Sequence, residues 1–116
     1  MDFKKQKPIY LQIADTLCER ILQGDWKEDE RMASVRDVAA EMGVNPNTVL
    51  RSFDHLQDRK IIFNRRGVGY FVATDAKEII TRLHREEFLN EEWPAVLQKI
   101  KMLGIKPEDL FKEGDL

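Results

Sequence analysis

A single cysteine, Cys18, is all the thiol this chain has. No disulfide can therefore close within it, and a zinc site would need several ligands that are grouped nowhere along the sequence. Cys18 reads as a small side chain buried on a helix. Also lacking is any apolar run near the roughly 18 to 20 residues that a membrane span requires, and the opening MDFKKQKPIY has no apolar core of a secretion signal. A chain that stays in the cytoplasm, with no membrane partner, is expected. His55 and His84 have no neighbouring ligand set of the metal-site kind, and there is neither a nucleophile motif nor a phosphate-cradling glycine loop. His84 and Glu87, one helical step apart, read as a surface pair. No enzyme, no cofactor and no metal are expected. With 116 residues, 42% of them hydrophobic, there is material for one compact domain and a small appendage, and no room for a large sensor domain.

Net positive charge is missing too: the formal value is −2, which taken globally speaks against nucleic acid. The distribution reverses that impression. Between residues 44 and 72 lie Arg51, Arg59, Lys60, Arg65 and Arg66 against only Asp54 and Asp58, whereas residues 76–116 carry seven basic and nine acidic side chains. A locally basic surface is what phosphate binding needs.

What is present is a succession of short, well-punctuated elements. Tyr10, Ile13, Leu17 and Ile21 recur at helical spacing after Pro8, and Gly24 follows as a stop, so a helix is expected over Ile9–Gln23. Residues 25–31 read as a polar connection with Trp26 plugging the end of that helix. Ser34 with Asp37 gives a capping pattern ahead of Val35, Val38, Ala39 and Met42, and Gly43 suits the left-handed residue after a helix end. Pro46 fits the first position of a third helix capped by Asn45, running to about Arg59. Two short helices joined by a tight glycine-bearing turn form a helix-turn-helix.

On the third helix, Val49, Phe53 and Leu56 share one side, while Asn47, Thr48, Arg51 and His55 share the other. The second set offers an amide, a hydroxyl, a guanidinium and an imidazole near the helix start, the end that a recognition helix presents to base edges. Ile61 to Phe63 and Tyr70 to Ala73 read as two strands flanking a turn within residues 64–69, a hairpin with a basic tip. The tail carries a capping pair, Asp75 and Glu78, before Ile79, Ile80 and Leu83. A fifth helix bears Trp93, Val96, Leu97, Ile100 and Leu103 and stops at Gly104, and Pro107 opens a final turn with Leu110 and Phe111.

These residues resemble the GntR family of winged-helix regulators, and the short tail resembles its YtrA subfamily. The landmarks are Pro8-Ile9-Tyr10-Leu11-Gln12-Ile13, Gly24, Ser34-Val35-Arg36 with Val38-Ala39, Gly43 through Val49 with Arg51, and Arg65-Arg66-Gly67-Val68-Gly69-Tyr70-Phe71-Val72. There are departures. Met32-Ala33-Ser34 stands where the family usually has Leu-Pro-Ser, Glu28-Asp29 replaces a common Pro-Gly, and Lys60 replaces the glycine that usually leads into the wing. Leu50 occupies a position where many members have a DNA-touching arginine, so Arg51 is left as the principal cation of the recognition helix.

The resemblance implies a mainly α fold with a small β-hairpin wing (α+β): a winged helix-turn-helix DNA-binding domain over residues 1–75 and a short helical dimerisation tail over 76–116. It implies a homodimeric, sequence-specific transcription regulator of the repressor kind, acting on a palindromic site in double-stranded DNA. Its DNA-binding residues would be Ser34, Arg36, Asn47, Thr48, Arg51, Arg65, Arg66, Gly67 and Gly69. Tyr70 would either meet a phosphate or pack behind the wing. In the tail, Ile80, Leu83, Trp93, Val96, Leu97, Ile100 and Leu103 are too many large apolar groups for so small a unit to bury alone. They would pack on the copy in a second subunit, or else on the chain's own DNA-binding domain. The identity of any small-molecule effector is unknown; the tail is too small for a usual pocket of about 300 Å³.

Overall fold

The computed structural model describes residues 7–115. Residues 1–6, which begin both the stretch read for a secretion signal and the expected 1–75 domain, and Leu116 lie outside the described residues. The chain divides into two compact units, the first closing at Arg82 and the second beginning at Leu83.

In the first unit α1 spans Ile9–Gln23, α2 Val35–Met42 and α3 Pro46–Asp58. Local chemistry sets these limits. The Ser34 hydroxyl accepts from the Asp37 backbone N–H over 3.0 Å at the start of α2, a cap that contributes about 1 kcal/mol. Gly43 ends α2 at φ +67°, a conformation open to glycine at little steric cost. Asn45 then caps α3, its side-chain oxygen accepting from the Asn47 N–H over 2.8 Å, with Pro46 at the first helical position. So α2 stops and α3 starts within a few residues, and both α1 and α2 pack on α3.

The core follows from that packing. Ile13, Leu17 and Ile21 of α1, Val38 of α2, and Val49, Phe53 and Leu56 of α3 are all buried. Burial of such side chains contributes about 1.5–3 kcal/mol each before the entropy of ordering is charged against it. Ser52 is the one buried polar side chain among the described core residues. Its hydroxyl donates to the Tyr10 carbonyl over 2.6 Å, so the cost of burying it is offset.

Strands β1 (Ile62–Arg65) and β2 (Gly69–Val72) pair antiparallel, with Ile62 opposite Val72 and Arg65 opposite Gly69. The pairing runs further toward the tip than the sequence pattern indicates, since Asn64, Arg65 and Gly69 belong to strands and only residues 66–68 make the turn. The polar connection is corrected as well. Arg31 bridges to Phe71, the Met32 N–H donates to the Tyr70 carbonyl, and the Val72 N–H donates to the Glu30 carbonyl. Residues 30–32 thus add a third edge to the wing sheet, and Met32 is buried beneath it.

Two departures from the resembled pattern have a backbone consequence. Asp29 and Lys60 are the non-glycine residues at positive φ among the described positions, at +67° and +63°. Both stand where the resemblance places glycine, so the turn geometry is kept although the residue is not. Asp29 is held by its N–H to the Val72 carbonyl and by the Thr74 hydroxyl, which donates to its carboxylate over 2.7 Å. At Lys60 the flanking amides close the end of α3, Lys60 on the Gln57 carbonyl and Ile61 on that of Leu56.

Helix α4 (Ala76–Glu87) begins in the first unit, where Ala76 and Ile80 are completely buried. In the second unit a π-helical turn over Phe88–Glu92 leads into α5 (Trp93–Leu103), and a 3-10 turn spans Pro107–Asp109. Pro94 has no N–H to give to the carbonyl four residues back, and a widened turn just upstream is a common way for a helix to absorb such a defect. The sequence pattern treats the fourth and fifth helices as separate; Glu87 and Trp93, flanking that turn, instead keep right-handed helical dihedrals. No described residue from Leu83 onward is buried.

Candidate nucleic-acid interface

Helix α3 separates its side chains cleanly. Val49, Ser52, Phe53 and Leu56 face the core, while Asn47, Leu50 and Arg51 are exposed and Thr48 is half-buried. Asn47, Thr48 and Arg51 line one open cleft of about 280 Å³ together with Pro8, Ile9 and Tyr10 from the start of α1. The Arg51 guanidinium lies over the Tyr10 ring, 4.0 Å from its centroid. His55, grouped with these residues by spacing, is turned toward Tyr10, edge to face at 6.1 Å. Burial, and then the charge of Arg59, push the His55 pKa below its ordinary value, which favours the neutral imidazole. Leu50, 41% exposed next to these polar groups, presents methyl groups of the kind that meet the thymine methyl in a major groove.

Arg36 is exposed near the start of α2, and Ser34, just ahead of it, is engaged as the helix cap. In the wing, the Arg65 guanidinium sits 4.4 Å over the Phe71 ring, which itself stacks on Phe63 at 5.7 Å. Arg66 and Gly67 are exposed at the tip. Gly69 has φ +142°, and a Cβ there would come within 2.8 Å of the Arg31 Nε. Glycine at this position therefore lets the Arg31 side chain lie against the wing backbone. Arg31 is a cation beside the wing that sequence reading missed, because residues 25–31 show no strand alternation. Tyr70 packs behind the wing, edge to face with Phe53 at 4.8 Å, and burial raises its pKa.

No carboxylate pairs with Arg36, Arg51, Arg65 or Arg66 among the described residues. By contrast Arg20, outside this surface, is held by Asp25 at 2.9 Å and Glu41 at 3.3 Å. Guanidiniums without a carboxylate partner, on α3 and on the adjacent hairpin, keep their N–H donors available to an external acceptor. Among the described residues no group of His, Cys, Asp and Glu is placed to hold a metal. Burial, then Asp15 and Glu19, push the Cys18 thiol up to about 12, so it stays protonated and unreactive. Among the described residues no helix is long and apolar enough to cross a membrane.

The tail residues named from the sequence fall into different settings. Ile80 is completely buried. Leu83 and Ile100 are half-buried. Trp93, Val96, Leu97 and Leu103 are exposed by 37%, 43%, 37% and 62%.

Three packed helices with an antiparallel wing, a helix-turn-helix and a basic outer face define a winged helix-turn-helix DNA-binding protein. The profile of the bacterial regulatory proteins of the gntR family matches residues 9–72. The chain belongs to the GntR family, and it is a DNA-binding transcription regulator rather than an enzyme. It is 34% identical over 110 residues to the HTH-type transcriptional regulator YhcF of Bacillus subtilis, covering 95% of this chain and 89% of that one. It is 35% identical over 112 residues to the HTH-type transcriptional repressor YtrA of the same organism, covering 97% and 85%. A GntR-family regulator from Bacteroides thetaiotaomicron has a similar structure, with TM-score 0.74, 44% identity and 89% of each chain covered.

Proposed function

We propose that the chain works in the cytoplasm as a homodimeric repressor of the YtrA type that reads a palindromic operator. The observation that carries this reading is the pairing of an uncommitted polar face on α3 with an apolar face on α5 that the described chain leaves uncovered. In this reading Asn47, Thr48 and Arg51 enter the major groove, and asparagine and arginine have the donor geometry for adenine and guanine there. Arg36 grips the flanking backbone with Ser34 fixing the start of its helix. Arg65 and Arg66, with Gly67 and Gly69 shaping the tip, reach a phosphate or a narrow minor groove. Leu83, Trp93, Val96, Leu97, Ile100 and Leu103 pack on a second copy. A two-fold dimer would set two recognition helices about 34 Å apart, one turn of B-DNA. The repressor role is supported by the near full-length similarity to the repressor YtrA.

Selection from a random duplex pool, followed by light scattering at low micromolar concentration, tests both halves. A recovered palindrome and a dimeric mass are expected. A single unrepeated half-site bound by a monomer would overturn the dimeric reading, and equal binding of all duplexes would overturn sequence readout.

A further inference from the structure

Tyr10 touches the side chain on which base reading rests. It stands near the start of α1, and its half-buried side chain has the Arg51 guanidinium over the ring at 4.0 Å and the His55 imidazole T-shaped to it at 6.1 Å. Its backbone is fixed to α3, because buried Ser52 donates its hydroxyl to the Tyr10 carbonyl over 2.6 Å. The backbone that carries the ring is therefore held against α3, beside Arg51. The same stretch, Pro8 to Tyr10, walls the cleft that Asn47, Thr48 and Arg51 line from the other side.

We propose that Tyr10 is a positioning residue for sequence readout: its ring holds the Arg51 guanidinium in the pose from which it meets a base. A guanidinium can use its face and its edge at once. The face is attracted to the ring by the cation–π interaction, and the N–H fork in the plane stays free for a bidentate acceptor pair such as the guanine O6 and N7. An arginine side chain without such a support samples many rotamers and loses that freedom on binding. Arg51 is already restrained in the free protein. The proposal rests on Arg51 being a base reader, and the test separates the two claims.

Affinities of the full chain are measured for the selected operator and for a random duplex with Y10F, Y10L, R51A and the Y10L/R51A double variant. R51A is expected to lose about tenfold on the operator beyond any loss on random duplex. Y10L is expected to lose about three- to tenfold on the operator only, Y10F nothing, and the double variant no more than R51A. If R51A weakens both duplexes equally, Arg51 is not a reader and the proposal falls with that reading. If R51A loses selectively while Y10L keeps full selectivity, or if the two losses multiply in the double variant, only the positioning role falls. The free protein supplies a second readout independent of the folding of Y10L. Arg51 δ-proton resonances displaced upfield by the ring current, in wild type and Y10F alike, are expected; ordinary shifts in wild type would overturn the stack.

Discussion

Phe53 and Trp93 are both large aromatic residues on helices with an apolar stripe, and they end in opposite settings. Phe53 has no exposed surface, whereas Trp93 keeps 37% of its own. The first sits where α1, α2 and the wing close around α3; the second lies in a unit with too few elements to close around anything. An apolar stripe states that a helix needs a partner surface, and only the surrounding chain decides whether that partner is internal. The first unit uses its apolar residues to make a scaffold that leaves polar groups on display. The second displays the apolar residues themselves.

The largest effect that would test this contrast is truncation of the two aromatics. Phe53→Ala should cost about 3–5 kcal/mol of unfolding free energy in a denaturant titration. Trp93→Ala, measured at a dilution where the chain is monomeric, should cost less than about 1 kcal/mol. Equal costs would make Trp93 part of an internal core and break the comparison. Next in size is a charge in the exposed stripe: Leu97→Asp should weaken self-association by about 2–4 kcal/mol in sedimentation equilibrium while leaving the helical circular dichroism of the diluted chain unchanged.

Within the DNA-binding unit the contrast lies between groove and wing. Arg51→Ala should lower operator affinity by about 1–3 kcal/mol with little change on random duplex. Arg66→Ala should weaken both and reduce the slope of log affinity against log salt by about 1. Smaller still is the backbone effect at Lys60. Lys60→Gly relieves a positive φ in an L residue but gives the unfolded chain more freedom, so a net gain of about 0.5 kcal/mol in thermal unfolding is expected.

The smallest effect belongs to His55, whose pKa burial and Arg59 hold below the ordinary 6.5. The unfolded chain therefore takes up the proton first. Stability is full above about pH 6.5 and falls as pH drops from there through the lowered folded value. In His55→Gln that part of the fall in melting temperature should disappear. Identical pH profiles for the two proteins would show that His55 is no more sheltered than a surface histidine.

Much of the first unit could be read directly from residue types. Proline at the start of a helix, glycine after its end, and Ser34 and Asn45 as caps act over a few residues, so α1, α2 and α3 have the expected limits to within about one residue. The wing was legible as a hairpin but not in its register, because Asn64 and Arg65 are polar side chains on an exposed edge and carry no alternation. Its third edge at residues 30–32 was not legible at all. It exists through hydrogen bonds to residues some forty positions further along the chain, between Met32 and Tyr70 and between Val72 and Glu30. Likewise, Leu50 and Arg51 are adjacent in sequence and equally free to point outward, but only the arrival of Tyr10 from α1 gives Arg51 its support.

The sequence by itself determined the helix-turn-helix and the family, because caps, periodicity and side-chain chemistry are local properties. Tertiary structure alone decided which apolar residues are spent inside and which remain to be covered. It put Ile80 in the first group and Trp93 in the second. It also decided which polar side chains are aimed and which are merely exposed. Burial and orientation depend on what the rest of the chain brings alongside, and no window of neighbouring residues contains that information.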